Sequence, residues 1–220
     1  YELTATYHIV DRDYDTETKF ILFSKRYKGD KWAATVPLHT VIPTKVRRIY
    51  GARLGGFSYK TAVDYNMVMN SQSVMLTDGD GNPIDTEQSS IYGNMTAYGL
   101  HIGGSMTLIK NVAVQPDKIY GTLVNDLIFT TYLDILITPA VQLEDIIAQG
   151  IRYDSEPLKT SMLGFRAGMD GKFNRKVGWG YGAEIGWRPG LQKSGFYILA
   201  KMSFPVFSTN LRHQVESFGK

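Results

Sequence analysis

The strongest constraint on this chain is a period of two. From Ile119 to Ile137, the residues Ile119, Leu123, Leu127, Phe129, Leu133, Ile135 and Ile137 share one parity. Tyr120, Thr122, Asp126, Thr130, Tyr132, Asp134 and Thr138 share the other. A helix would scatter the two sets over overlapping faces, whereas a strand sends successive side chains to opposite faces. The split recurs at 98–108, where Tyr98, Leu100, Ile102, Met106 and Leu108 oppose His101, Ser105 and Thr107. It recurs at 158–173, where Leu163, Phe165, Ala167 and Met169 oppose Arg166 and Asp170. At 177–188 the apolar set is Val177, Trp179, Tyr181, Ala183, Ile185 and Trp187, and at 196–206 it is Phe196, Ile198, Ala200, Met202, Phe204 and Val206. Weaker alternation runs through 18–27, 31–42 and 45–64. The pattern predicts an all-β chain.

The two faces differ in a way that sets their orientation. Opposite the apolar set of 177–188 stand Gly178, Gly180, Gly182, Glu184, Gly186 and Arg188, a face of many glycines and few charges. A soluble barrel would charge its exterior; here whole aromatic rings occupy one face. Trp179 and Trp187 lie eight residues apart, roughly 26 Å along a strand, or about 20 Å at a tilt near 40°, comparable to the separation of the aromatic girdles of a membrane barrel. The apolar face, with Trp179, Tyr181, Trp187, Phe129, Phe165 and Phe204, is therefore expected to look out at lipid.

Composition narrows the rest. No window of about 18 apolar residues exists, which excludes a transmembrane helix. A net charge of +3 is too small for an unclustered nucleic-acid reader, and the lack of Cys removes disulfides, thiolate metal sites and thiol nucleophiles. The chain starts at Tyr1 without Met or an apolar leader, as a mature or truncated chain would.

Connections are expected at 28–30, 43–44, 65–88, 110–117, 139–157, 174–176 and 191–194. Eight strands with both termini on the periplasmic side put the short second, fourth and sixth connections there, and the two longest, 65–88 and 139–157, outside. Charge agrees: the first long loop carries Asp78, Asp80, Asp85 and Glu87 without Lys or Arg, and the short turns carry Lys45, Arg47, Lys110, Arg175 and Lys176. Residues 1–10 also alternate, so 1–17 is a lead-in, an extension of the first hairpin or an extra strand. Ten strands is the other count. The barrel would span 18–207, with a periplasmic tail at 208–220.

With these outward sets and a last strand, 195–207, that alternates and closes on Phe207, the chain resembles small outer-membrane β-barrels of Gram-negative bacteria, in the manner of the OmpA, OmpX and OmpW types. It departs from them in running 13 residues past Phe207 and in having Pro205 in that strand. The resemblance implies a transmembrane antiparallel up-and-down β-barrel in the cell outer membrane. It is a class signature and carries no functional residues across.

Hairpin geometry places the inward charges. The turn near Arg175 sets Arg166 across from Glu184, and the turn at 192–193 brings Lys201 beside Glu184. A ladder Arg166–Glu184–Lys201 is expected, with Asp170 and Arg188 near it and the neighbouring glycines leaving room for long side chains. A polar plug is favoured over a proton relay or ligand site. The same geometry sets His101 facing Asp126, with Ser105 nearby. The trio resembles a hydrolase triad in type, but its inward placement and spacing argue against catalysis. His8, His39 and His213 are isolated, so no imidazole metal cluster is expected. Asp78, Asp80 and Asn82 open a segment like a calcium loop, but Pro83 stands where such a loop needs Gly and Ser89 where it needs Glu, so a turn is favoured. Leu143, Ile146 and Ile147 are predicted on one face of a short helix ended by Gly150. Met67, Val68, Met69, Val74 and Met75 make the other long loop apolar, for contact with another protein or for packing between the two loops.

The expected function is a non-enzymatic outer-membrane barrel with a packed polar interior, without cofactor, acting as a structural or accessory subunit. Its partners would be outer-membrane lipids and other outer-membrane proteins or lipoproteins met through 65–88 and 139–157, and not nucleic acid. The rival readings are a small-solute channel or carrier, a lipid-modifying barrel enzyme using His101, Asp126 and Ser105, and a soluble lipocalin-like binding barrel.

Overall fold

A computed structural model describes residues 1–22, 38–84, 91–114, 123–144, 146–148, 150–172 and 179–204. The fold is antiparallel β throughout. The long strands are β1 (Glu2–Leu22), β2 (Leu38–Asp64), β3 (Tyr92–Val114) and β4 (Leu123–Leu143). Short elements follow: β5 (Ile146–Ala148), β6 (Ile151–Tyr153), β7 (Thr160–Ser161), β8 (Leu163–Lys172), β9 (Gly180–Trp187), β10 (Gly190–Leu191) and β11 (Phe196–Ser203). One helix, α1 (Tyr65–Gln72), follows β2. Seven strands form a meander, β1-β2-β3-β4-β8-β9-β11, and β5–β6 and β7–β10 form two small pairs. The meander coils strongly: Arg166 of β8 reaches Glu2 of β1, four places away in the strand order, at 2.5 and 2.6 Å. Among the described residues no ladder joins β11 to β1.

Several expected boundaries change. Residues 2–22 are one edge strand of the main sheet, which pairs with β2 from Leu22↔Leu38 to Glu2↔Phe57. The expected turn at 43–44 does not exist, because β2 runs through it with Glu17 paired to Pro43 and Thr16 to Thr44. A proline lacks the N–H that a ladder needs on one side. Pro43 is tolerated because β3 joins β2 only from Val46 onward, leaving that side of Pro43 without a partner strand. The expected turn at 28–30, the Pro205–Phe207 strand end and the tail at 208–220 lie outside the described residues. With seven alternating strands, β1 starts at the end that bears the long loops and β11 finishes at the opposite end. The C-terminus itself lies outside the described residues, so the expectation that both termini share one side is not addressed by β11. The long connections after β2 and after β4 do lie at the same end.

Those connections pack on each other into an apolar cap. Val63, Tyr65, Val68, Met69, Leu76, Ile84, Ile91, Met95, Ile146, Tyr153, Leu158 and Leu191 form a buried cluster. Helix α1 starts where the Asp64 carboxylate accepts from the Asn66 and Met67 amides, an N-cap that satisfies two otherwise orphaned donors. It ends at Ser73 in the left-handed conformation. The predicted helix around Leu143, Ile146 and Ile147 is instead the end of β4 followed by the β5–β6 hairpin, with Gly150 at φ +83° in its turn. Gln72 ties the loops together: its Nε2 donates to the Lys159 and Gln192 carbonyls and its Oε1 accepts from the Lys159 amide. Of the five apolar residues at 67–75, Val68 and Met69 are buried in this cluster and Val74 packs against it, whereas Met67 and Met75 are exposed.

At the rim below the cap, Glu144 accepts from Lys60 Nζ and from Asn94 Nδ2, both at 2.7 Å. The Lys60 and Asn94 hydrogen bonds hold the Glu144 carboxyl below the usual carboxylate range. A depressed pKa contributes stability above the unfolded value, and that stability is lost as pH falls through the folded value. We expect amide exchange over 92–96 and 141–144, corrected for intrinsic rates, to accelerate on acidification into that range. Glu144→Gln should remove that acid-dependent acceleration; an unchanged pH response would refute the linkage.

Candidate functional site

Ladder registers align the outward apolar residues in rows across the sheet. One row runs Ala5, Leu54, Ile102, Ile135, Phe165, Trp187, Phe196, and the next runs Tyr7, Ala52, Gly104, Leu133, Ala167, Ile185, Ile198. Further rows pass through Leu3, Leu100, Ile137 and Leu163 on one side and through Leu108, Phe129, Tyr181 and Met202 on the other. This face is exposed: Leu133 is 60% and Ile198 71% accessible. Trp179, Tyr181, Phe165 and Phe204 are exposed, and Phe129 and Trp187 are partly so. On β4 the belt runs from Ile137 to Phe129, roughly 27 Å along the strand or about 20 Å at a 40° tilt.

The opposite face is charged and covered. Asp134 is fully buried, Arg166 is 4% and Glu184 7% accessible. Asp134 accepts from Arg53 Nε at 3.0 Å and from Arg166 Nε at 2.9 Å, so one carboxylate bridges two guanidiniums. Arg166 turns its remaining nitrogens to both oxygens of Glu2. Glu184 accepts from Tyr132 at 2.5 Å, from Tyr197 at 2.7 Å and from Lys201 at 2.7 Å, and Lys201 also donates to the Tyr132 hydroxyl. The Arg53 guanidinium lies 4.3 Å from the Tyr132 ring centroid. Tyr132 thus joins the two halves of the network. Glycines seat these groups. A Cβ on Gly168 would collide with the Tyr132 ring and one on Gly103 with the Asp134 carboxylate.

The predicted ladder is therefore half realised. Lys201 does pair with Glu184, but diagonally, since its ladder partner is Gly182. Arg166 sits across from Gly186, two residues from the expected Glu184, and pairs with Asp134 and Glu2 instead. Asp170 is exposed at the far end of the network, and Arg188 lies at the cap end between the Tyr59 and Tyr197 rings. His101 pairs with Leu136 rather than facing Asp126, which pairs with Asn111. The β3–β4 pairing is centred later than expected, and that alone shifts the register. His101 Nε2 lies 3.1 Å from Thr4 Oγ1, and Ser105 is four residues along the strand, about 13 Å away. The three do not assemble into a triad. Sequence reasoning missed Glu2, Arg53, Tyr132, Asp134 and Tyr197 as members of the network. Glycines at 51, 55 and 56 around Arg53 are the signal that could have found it.

The Asp78 carboxylate accepts from the Asp80 and Asn82 amides and from Asn82 Nδ2. Its oxygens close a turn, and the Asn82 hydrogen bonds hold it below the usual carboxylate range. Among the described residues no group of three His, Cys, Asp or Glu converges for a metal, and no helix is long and apolar enough to cross a membrane, which says nothing of strands. Compared with protein-family models, curated proteins and solved structures, the chain matches none. Function must be read from the two faces: an exposed hydrocarbon belt, and a buried set of charges in which Glu2, Asp134 and Glu184 each meet a cation.

Proposed function

We propose that the chain is a non-enzymatic β-barrel of the outer membrane, with lipid against the apolar belt and a packed polar interior. The carrying observation is the inversion: Leu133, Ile135, Ile185 and Ile198 are exposed while Asp134, Arg166, Glu184 and His101 are buried. Water penalises such a belt, and monomeric soluble proteins rarely expose contiguous apolar patches beyond a few hundred Å². Arg53, Tyr132, Asp134, Arg166, Glu184 and Lys201 fill the concave side, which favours a structural or accessory subunit over a channel. The cap offers Met67 and Met75 to neighbouring outer-membrane proteins or lipoproteins.

The test is depth-resolved. The variant Trp32→Phe/Trp179→Phe, which keeps Trp187, is reconstituted into bilayers carrying brominated acyl chains. Quenching of at least half the Trp187 fluorescence is expected. An unquenched signal from folded protein overturns the reading, and a solitary monomer after mild extraction overturns the subunit role.

A further inference from the structure

Among the described residues, the interior leaves Arg188 without a carboxylate. Glu2 and Asp134 are matched by Arg166 and Arg53, and Glu184 by Lys201. Arg188 lies between two phenol rings, its guanidinium carbon 4.2 Å from the Tyr197 centroid and 5.5 Å from that of Tyr59. Among the described residues no carboxylate forms an ion pair with it. A guanidinium keeps its charge and carries five donors in a fork that matches carboxylate and phosphate oxygens. Arg188 lines a cavity of about 250 Å³ with Glu2, Arg166, Tyr197 and Lys201. The three cations there outnumber the two lining carboxylates, Glu2 and Glu184.

This cavity adjoins a second recess of opposite character. A groove of about 750 Å³ runs over Leu3, Gly56, Leu100, Ile137 and Pro139 on the belt side. Cavity and groove share Tyr1, Glu2, Phe57 and Ser58 in their walls. The groove is open at Gly56, where an added Cβ would meet only the Gly99 carbonyl at 3.6 Å and Leu100 Cδ2 at 3.9 Å. The neighbouring bulge between Tyr98 and Leu100 faces Pro139, where the β3–β4 ladder is interrupted. A polar pocket with a cation to spare, meeting an apolar trough at Tyr1, Glu2, Phe57 and Ser58, matches one kind of molecule.

We propose that the two recesses together bind a single anionic amphiphile, its phosphate or carboxylate head on Arg188 and one hydrocarbon chain in the groove. The proposal rests on the lipid-facing orientation, since a bilayer delivers such a chain sideways to the groove. Together the recesses fall within the range of ordinary ligand sites.

The full chain, folded in a neutral maltoside detergent, is titrated with dodecyl phosphate, dodecanol and inorganic phosphate. Dodecyl phosphate should bind at least tenfold tighter than either of the others. Arg188→Gln should weaken dodecyl phosphate about 10- to 100-fold, the range for losing charge-assisted hydrogen bonds, and leave dodecanol unchanged. Gly56→Phe, which fills the groove, should weaken dodecyl phosphate at least tenfold and leave inorganic phosphate unchanged. Dodecyl phosphate binding no tighter than dodecanol overturns the proposal using the unmodified chain alone, so a variant that fails to fold does not shield it. Inorganic phosphate binding equally well, with Gly56→Phe silent, would make this a free-oxyanion site and also overturn it. Brominated-lipid quenching in protein that ignores dodecyl phosphate would sink the amphiphile while leaving the orientation intact.

Discussion

Arg166→Met should destabilise the protein by about 3–5 kcal/mol, the usual cost of removing one partner from a buried ion pair. The loss comes less from the pair than from what stays behind. Glu2 would keep a carboxylate with no cation on it, and Asp134 would retain Arg53 alone. Glu2→Gln in the same chain should recover part of the loss, with a coupling of about 0.5–3 kcal/mol between the two sites. Glu2 is partly exposed, so Glu2→Gln by itself should cost much less. Denaturant midpoints of the three variants in one detergent decide it. A purely additive double variant would mean that Arg166 supports the fold by packing rather than charge.

The second large effect comes from the other face. Leu133→Arg should cost about 2–4 kcal/mol, the penalty for a cation on the lipid face near the middle of a bilayer, and Leu163→Arg at the margin of the belt about 0–1. Both leucines are exposed, at 60% and 62%. An aqueous surface would make the two changes nearly equal and within about 0.5 kcal/mol of neutral. Depth dependence is therefore the discriminating quantity. Equal, small effects in a reconstituted bilayer would remove the lipid from the account.

The faces were legible because parity survives errors in everything else. Whether β8 starts at 158 or 163, Phe165 and Arg166 remain on opposite sides. Register was not legible, because it depends on where a turn is centred and on bulges that carry no local sequence mark. The steps between His8 and Val10 and between Tyr98 and Leu100 each move a strand by one residue. Opposite Arg166, Gly186 stands in place of Glu184 because the β8–β9 pairing is offset by two residues, with no bulge in that ladder. Long side chains softened the error: Lys201 still reaches Glu184 along the diagonal. Pro43 misled for a related reason, since it reads as a strand end unless the neighbouring strand is known to stop short of it. The cap was the least legible part. Its helix is marked only by Asp64 ahead of an unremarkable run, and its core draws on four separate segments whose meeting no periodicity encodes.

The strands are unequal, and the inequality is all on one side. β1 to β4 have 21 to 27 residues, whereas β8, β9 and β11 have 8 to 10. Past the lowest row of the belt, β1 continues for ten residues beyond Arg12, roughly 34 Å of chain. A sheet of uniform height has no front or back, but among the described residues this one stands tall on its β1–β4 side. Its inner face bears Asp11, Asp13, Asp15, Arg47 and Lys45, and its outer face carries Arg12, Arg48 and Thr16. Among the described residues, that end presents a charged blade built from β1 and β2, so the sheet has a compass bearing in the plane perpendicular to its strands.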